Sequence, residues 1–164
     1  MSIRLNLRAV ESLLVFWTMV SEKEKVGDSY LHDMAQMEEF QATFDEEFSS
    51  MSFVKILSAI SNKELLNGMN KKEGKFWTNN MWMLEDMGLT RQMLEPLKKL
   101  HLDGTLLSSE MEIVFVPMHS QESFKMGQKL YVNFFKIVPD MSQGLGRIQD
   151  QELSIYLMEK LSKN

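Results

Sequence analysis

Cysteine is absent from this sequence of 164 residues. Disulfide bonds, cysteine-ligated zinc or iron–sulfur centres and a thiol nucleophile are therefore excluded. The absence fits a reducing compartment, and we expect the protein to work in the cytoplasm. Arg4 and Arg8 precede an apolar run at 13–20. Glu11 interrupts the approach to that run and no small-residue cleavage site follows it, so the segment is a poor signal peptide.

Long hydrophobic runs and an excess of positive charge are also missing. No apolar stretch approaches the length that crosses a bilayer, so we predict no membrane-spanning segment. Lysine and arginine total 18 against 23 for aspartate and glutamate, which gives a formal net charge of -5. Because nucleic-acid binding draws its affinity from clustered basic side chains, this balance argues mildly against a nucleic-acid partner.

The composition that remains is typical of a globular chain. Hydrophobic residues make up 44% and charged residues 25%, which is far from the composition of a disordered segment. The length suits one hydrophobic core. We therefore expect a single α+β domain spanning residues 1–164.

Hydrophobic periodicity predicts strands at both ends of the chain and helices between them. Ile3, Leu5 and Leu7 alternate with polar residues, as in a strand with one buried face. Residues 13–20 fit a buried strand and a buried helix equally well. Further strands are predicted at 112–116 and 130–138, and helices at 28–51, 53–66, 75–87, from 90 onward and at 148–161. The fold class expected from this order is α+β, an antiparallel or mixed sheet from the N- and C-terminal strands packed against helices from the middle of the chain.

Single residues are predicted to start, stop or bend these helices. Asp28 caps the first one, and Gly68 ends the second in the left-handed conformation. Gly88 ends the third, after which Thr90 caps a new helix. Pro96 then forces a kink or a fresh start, because proline lacks the main-chain N–H.

Residues 28–50 carry seven acidic side chains and neither lysine nor arginine. At about 100° per residue, a continuous helix places four polar residues on one solvent-facing stripe, namely Asp28, His32, Glu39 and Glu46. Asp28 and His32 are one turn apart and could share a metal ion, but two ligands alone do not make a site. A solvated helix face is favoured, and docking of a basic partner protein is the better functional hypothesis for this stripe.

The other two histidines, His101 and His119, lie next to strand or turn signals. No HExxH, Gly-x-Ser-x-Gly or linked Ser/His/Asp spacing accompanies them. Ordinary hydrogen-bonded or surface histidines are the favoured interpretation. If the protein is an enzyme, His119 just beyond a strand end is the first candidate for the acid or base, and His101 is the second.

The segment 142–147 contains Gly144, Gly146 and Arg147 ahead of the last predicted helix. Main-chain N–H groups at such a helix start bind anions, so these three residues are a weak anion-binding candidate. The segment lacks the third glycine of a dinucleotide-binding fingerprint and the Gly-Lys-Ser/Thr of a P-loop. A plain loop is the favoured interpretation.

Residues 77–116 resemble a known DNA-binding unit in the order of their elements. A helix, a turn at Gly88, a second helix, the turn Asp103-Gly104 and a strand follow one another, and in outline this order resembles a winged helix-turn-helix. The resemblance implies groove and phosphate contacts from four residues, Arg91, Gln92, Lys98 and Lys99. Pro96 inside the second helix and the acidic net charge argue against DNA binding.

Methionine is the most unusual feature of the composition, with 15 residues. Its flexible thioether fills irregular gaps in cores and suits adaptable binding surfaces. Four residues are candidates for an apolar ligand or partner surface, which we call the Met/Trp surface: Trp77, Met81, Trp82 and Met83. The same surface is a candidate interface for a homo-oligomer.

These patterns favour a non-enzymatic binding or regulatory domain whose partner is a protein or a small molecule. No cofactor is predicted. A winged-helix-like DNA-binding regulator is the second hypothesis, and a small enzyme with a His/carboxylate site is the third because no catalytic spacing supports it.

Overall fold

A computed structural model describes residues 2–105, 107, 109–140 and 145–163. Within these residues the chain forms helices and two sheets, so the predicted α+β class is confirmed. The helices are α1 (Arg8–Ser21), α2 (Asp28–Ala35), α3 (Glu38–Gln41), α4 (Ser50–Asn62), α5 (Lys71–Glu85), α6 (Met87–Lys98) and α7 (Leu153–Ser162). The strands are β1 (Ile3–Asn6), β2 (Met111–Val116), β3 (Ser123–Met126), β4 (Lys129–Asn133), β5 (Val138–Asp140), β6 (Leu145–Ile148) and β7 (Gln151–Glu152).

The larger sheet is mixed and has the strand order β1-β2-β4-β3. Strands β1, β2 and β4 run parallel, whereas β3 pairs with β4 in the antiparallel sense. Arg4, Glu112 and Lys129 are register partners across the three parallel strands, and Glu112 forms ion pairs with both basic neighbours. The carboxyl ends of β1, β2 and β4 therefore meet at one edge of the sheet. The smaller sheet, β5-β6-β7, is antiparallel.

The hydrophobic core lies around the central strands and the inner faces of the helices. Most residues of β2 and β4 are buried, which requires cover on both faces of the sheet. Helix α1 is the segment whose strand or helix character the sequence left open, and it buries Leu13, Phe16 and Trp17 completely. The Trp17 indole N–H donates to Asn80 Oδ1 on α5 at 2.8 Å, and this polar contact inside the core links the two helices. In the described part of the chain, no helix is long and apolar enough to cross a membrane.

The predicted helix over 28–51 is wrong as one element, because the chain breaks twice between α2 and α4. The Asp45 carboxylate accepts hydrogen bonds from the main-chain N–H groups of Glu47 and Phe48, and this local bonding competes with the helix. Ser49 then starts α4 through a capping box with Ser52. Glu39 consequently does not lie on a solvent-facing stripe; it is buried.

Several predicted helix ends also differ from the structure. Lys63, not Gly68, is the left-handed cap of α4. Asp86 caps α6 by accepting from the N–H of Leu89, so Thr90 lies inside that helix and is not its cap. Pro96 lies inside α6, which continues to Lys98, so the predicted fresh start at residue 97 does not occur.

The predicted strand at 130–138 is wrong as a single element and divides into β4 and β5. Asn133 Oδ1 accepts from the N–H of Phe135 and starts a 3₁₀ turn between the two strands. The last predicted helix begins only at Leu153. Gln149 and Asp150 precede it with positive φ angles, and they close the β6–β7 hairpin.

We expect glycine at either left-handed lysine to stabilise the protein. Lys23 and Lys63 have φ angles of 60° and 57° and follow the ends of α1 and α4. That conformation costs a non-glycine residue about 1–2 kcal/mol, and glycine's larger unfolded-state entropy offsets about 0.5–1 kcal/mol of the gain. Lys23→Gly and Lys63→Gly should therefore each raise the free energy of unfolding by about 0.5–1 kcal/mol in urea denaturation. Lys25→Gly is the control, and an equal gain there would contradict this explanation.

Candidate functional site

A cavity lies beside the carboxyl end of β2, where open sheets with parallel strands commonly bind ligands. It encloses about 240 Å³, and we call it the His119 cavity. Its walls come from the segment after α3, the loop after β2 and strand β3: Ala42, Thr43, Phe44, Asp45, Met118, His119, Gln121 and Phe124. The volume is below the roughly 300–1,000 Å³ of drug-sized sites, so it suits a small ligand.

Asn133, the last residue of β4, fixes the loop that carries His119. Its side chain is 1% exposed. The Asn133 Oδ1 atom accepts from the N–H of Met118 at 3.1 Å, and Nδ2 donates to the carbonyl of Gln121 at 2.8 Å and to that of Met118 at 3.4 Å. One buried amide therefore satisfies the main-chain groups of a loop that forms no ladder of its own.

His119 forms one side of the cavity and is 4% exposed. Its Nε2 lies 2.8 Å from the Thr43 carbonyl, which can only accept, so Nε2 carries the proton. The Nδ1 atom, 2.8 Å from Ser120 Oγ, then accepts from that hydroxyl. Burial lowers the pKa of His119 below its ordinary value, although the Thr43 hydrogen bond and the charge of Asp45 oppose the shift. The imidazole is therefore neutral at neutral pH.

Asp45 lies next to His119, but its negative charge is stabilised by hydrogen bonds from other groups. Its Oδ1 accepts from the N–H groups of Glu47 and Phe48, and its Oδ2 accepts from Lys72 Nζ. Burial alone would raise the pKa of the Asp45 carboxyl, but the hydrogen bonds from Lys72 and Glu47 outweigh it, and the pKa lies below its ordinary value. The 3.7 Å from Oδ2 to His119 Nε2 is an electrostatic contact and exceeds hydrogen-bond length.

Aromatic rings hold the apolar walls of the cavity in place. Phe44 packs against Phe48 and Phe53 with ring centroids 5.9 and 5.8 Å apart. Phe124, on β3, stacks on its register partner Tyr131 at 4.7 Å. Because each ring packs against other aromatic rings, these walls are largely preformed for a ligand.

Of the predicted catalytic candidates, only His119 lies at the cavity. His101 is exposed and lies after the end of α6, away from the cavity lining. Asp28 and His32 are exposed on α2, and the described residues contain no group of three side chains that could hold a metal ion. Glu39 instead accepts from Asn6 Nδ2 at 3.1 Å and pairs with an arginine at the start of α1.

The Met/Trp surface is divided between the core and the solvent. Met83 is buried, Trp77 and Met81 are half-buried against the core, and Trp82 is 62% exposed. At about 100° per residue, Trp82 and Met83 point in clearly different directions. Trp82 is thus the member most available to a partner.

The residues of the anion-binding candidate do not precede a helix. Gly146 and Arg147 lie in β6, and β7 separates them from α7; Gly144 lies outside the described residues. The Arg147 guanidinium donates to the main-chain carbonyl of Asp150 and so supports the hairpin turn. A Cβ at Gly146 would lie 3.3 Å from Ile137 Cγ2, which gives this glycine a packing role.

The four residues of the DNA hypothesis are exposed at α6 and its C-terminal end: Arg91, Gln92, Lys98 and Lys99. The strand after them, β2, is central in the sheet and pairs in parallel with both neighbours, whereas a wing is an antiparallel hairpin. The outline likeness to a winged helix therefore does not extend to that strand. DNA binding by α6 stays a prediction.

Sequence reasoning missed Thr43, Asp45 and Asn133. Helical spacing places Asp45 and the two acidic residues after it in a helix, although an aspartate that can bond to the main-chain N–H two residues later is also a turn signal. Asn133 lies inside the predicted strand at 130–138, where asparagine is disfavoured, and that exception is the available clue. No known protein family, curated protein or solved structure matches this chain.

Proposed function

We propose that this protein is a non-enzymatic binding domain that receives a small ligand in the His119 cavity. The proposal is supported above all by one observation. The lining of one concavity combines three apolar side chains, Phe44, Met118 and Phe124, with the polar side chains of His119 and Asp45. Ligand sites commonly combine such apolar walls with a few placed polar groups.

The position of the cavity adds a second line of support. It lies where the carboxyl ends of parallel strands meet, and its loop is tied to β4 by the buried amide of Asn133. A loop held in this way loses little further conformational entropy when a ligand binds. We assign this binding function to a reducing compartment, the cytoplasm, because the chain contains no cysteine.

Binding without catalysis is the better explanation of the polar side. Each ring nitrogen of His119 already has a protein partner, and Asp45 lies beyond hydrogen-bond length from that ring. A general base must reach the proton that it removes, and here Ser120 is the group within reach of Nδ1. A small enzyme that uses this His/carboxylate pair therefore ranks below the binding domain, as does a DNA-binding regulator.

Filling the cavity tests the proposal. Fragments of neutral, cationic and anionic aromatic compounds are titrated while main-chain amide signals of residues 43, 119 and 124 are followed by NMR. We expect saturable shifts at these positions with at least one fragment, and a loss of affinity of tenfold or more in Ala42→Phe, whose side chain occupies the space.

Ser61→Phe is the matched control, since it fills a cavity of about 280 Å³ at the ends of α1 and α4. That variant should bind the fragment as the wild type does. Fragments that leave the three signals unmoved, or that bind Ala42→Phe equally well, would refute a ligand site in the His119 cavity.

A further inference from the structure

We propose that the ligand of the His119 cavity is a small organic cation, an amine or ammonium group on an apolar aromatic or aliphatic body. This inference rests on the binding function proposed above and adds the chemical class of the ligand. It combines the charge balance around Asp45 with the chemistry of the aromatic residues in the same lining.

The charged groups at the polar side leave an excess of negative charge. Asp45 and Glu47 share a single cation, Lys72, whose Nζ lies 2.5 Å from the first carboxylate and 3.5 Å from the second. His119 adds no positive charge, because its ring is neutral and donates only from Nε2 to a main-chain carbonyl. Asp45, which lines the cavity, and its neighbours Glu47 and Lys72 therefore sum to a net charge of about −1 beside the ligand space.

The carboxylate nearest the cavity retains access to solvent and to a ligand. The Asp45 side chain is 37% exposed, so its oxygens are not sealed behind the turn that they stabilise. Hydrogen bonds hold the pKa of this carboxyl below its ordinary value, so its charge persists into mildly acidic solution. A cation can thus approach this carboxylate, although its Oδ2 also accepts from Lys72.

The chain segment that carries Asp45 is acidic. The segment 28–50 supplies four of the cavity residues, and it contains seven carboxylates and no lysine or arginine. Some are compensated by basic side chains of other elements, such as Lys129 at 4.0 Å from Glu38. Clefts lined by one sign of charge concentrate ligands of the opposite sign.

The apolar wall suits a cation as well as a neutral group. Phe44 and Phe124 both line the cavity, and the faces of aromatic rings attract cations through their quadrupole. Partial removal of water strengthens that attraction. An anion would meet the same rings and the Asp45 carboxylate, and the lining contains no basic side chain, so an anion is disfavoured.

Three ligands with one ring and three charges test the inference: benzylamine, benzyl alcohol and benzoate. We expect benzylamine to bind at least tenfold more tightly than the alcohol, and benzoate not to bind, as measured by amide chemical shifts at residues 43 and 119. Asp45→Asn should remove most of the preference for the amine while leaving the affinity for the alcohol within twofold.

Glu47→Gln provides a second variant that leaves the Asp45 turn bonds in place, and it should reduce the amine preference about threefold. Glu46→Gln is the matched control, because Glu46 is exposed and forms no described ion pair. If the alcohol or benzoate binds as tightly as the amine, the ligand is not a cation, although the cavity remains a binding site. If none of the three binds, both the cation inference and the binding function are overturned.

Discussion

Asn133→Leu is expected to lower the free energy of unfolding by about 3 kcal/mol, because it leaves the buried main-chain groups of the His119 loop without partners. The Asn133 side chain accepts from the N–H groups of Met118 and Phe135 and donates to the carbonyls of Met118 and Gln121. Leucine has a similar volume and removes all of these bonds. The loop should then open locally, and fragment binding to the cavity should be lost with it.

Urea denaturation measures the stability change, and the NMR titration measures binding in the same variant. Asn62→Leu is the control, since Asn62 is exposed and its side chain makes one longer contact of 3.3 Å with Ser58. We expect an effect within about 0.5 kcal/mol there. Full binding by a destabilised Asn133→Leu variant would show that the amide supports the fold and does not shape the cavity.

Asn80→Leu is expected to cost about 2–3 kcal/mol, since it removes the only described acceptor of a completely buried indole N–H. Both Trp17 and Asn80 are 0% exposed, and the Asn80 amide also donates to the Phe76 carbonyl at 2.8 Å. The leucine side chain keeps the core filled, so the loss reports on hydrogen bonding more than on a cavity.

A double-mutant cycle with Trp17→Phe isolates this contact. Each single variant leaves one buried polar group of the pair without its partner, so the double variant should be more stable than the sum of the single effects predicts, by about 1–2 kcal/mol. Urea denaturation of all four proteins provides the values. Purely additive effects would mean that the Trp17–Asn80 hydrogen bond contributes nothing net.

The fold class could be predicted because local patterns decide it. Ile3 and Leu5 of the alternating segment and the β-branched run at 112–116 all lie in strands of the larger sheet. Periodicity failed between α2 and α4, where apolar residues keep helical spacing although Asp45 bonds to its own main chain. Hydrophobic spacing records burial, and it does not register competition for main-chain hydrogen bonds.

The candidate site was predictable only in part, because its two halves are distant in the chain. His119 could be named from its position after a predicted strand, but Thr43, which contacts its ring, is 76 residues away. No local sequence pattern indicates that these two segments are neighbours in the fold. Their proximity follows from the break after α3 and from the parallel pairing of β2 with β4, and both features depend on the tertiary structure.

In the parallel pairing of β1 with β2, Ile3 is the register partner of Met111. Strand β1 can therefore pair only after the ribosome has synthesised β2, more than a hundred residues later. At roughly 5–20 residues per second, the ribosome needs on the order of 5–20 s to add the intervening hundred or so residues. During that interval the edges of β1 have no strand to pair with, while α1 to α6 can already collapse together. Closure of the sheet is therefore a late step of biosynthesis, and a nascent chain halted before residue 111 exposes the unpaired edges of β1, to which chaperones can bind.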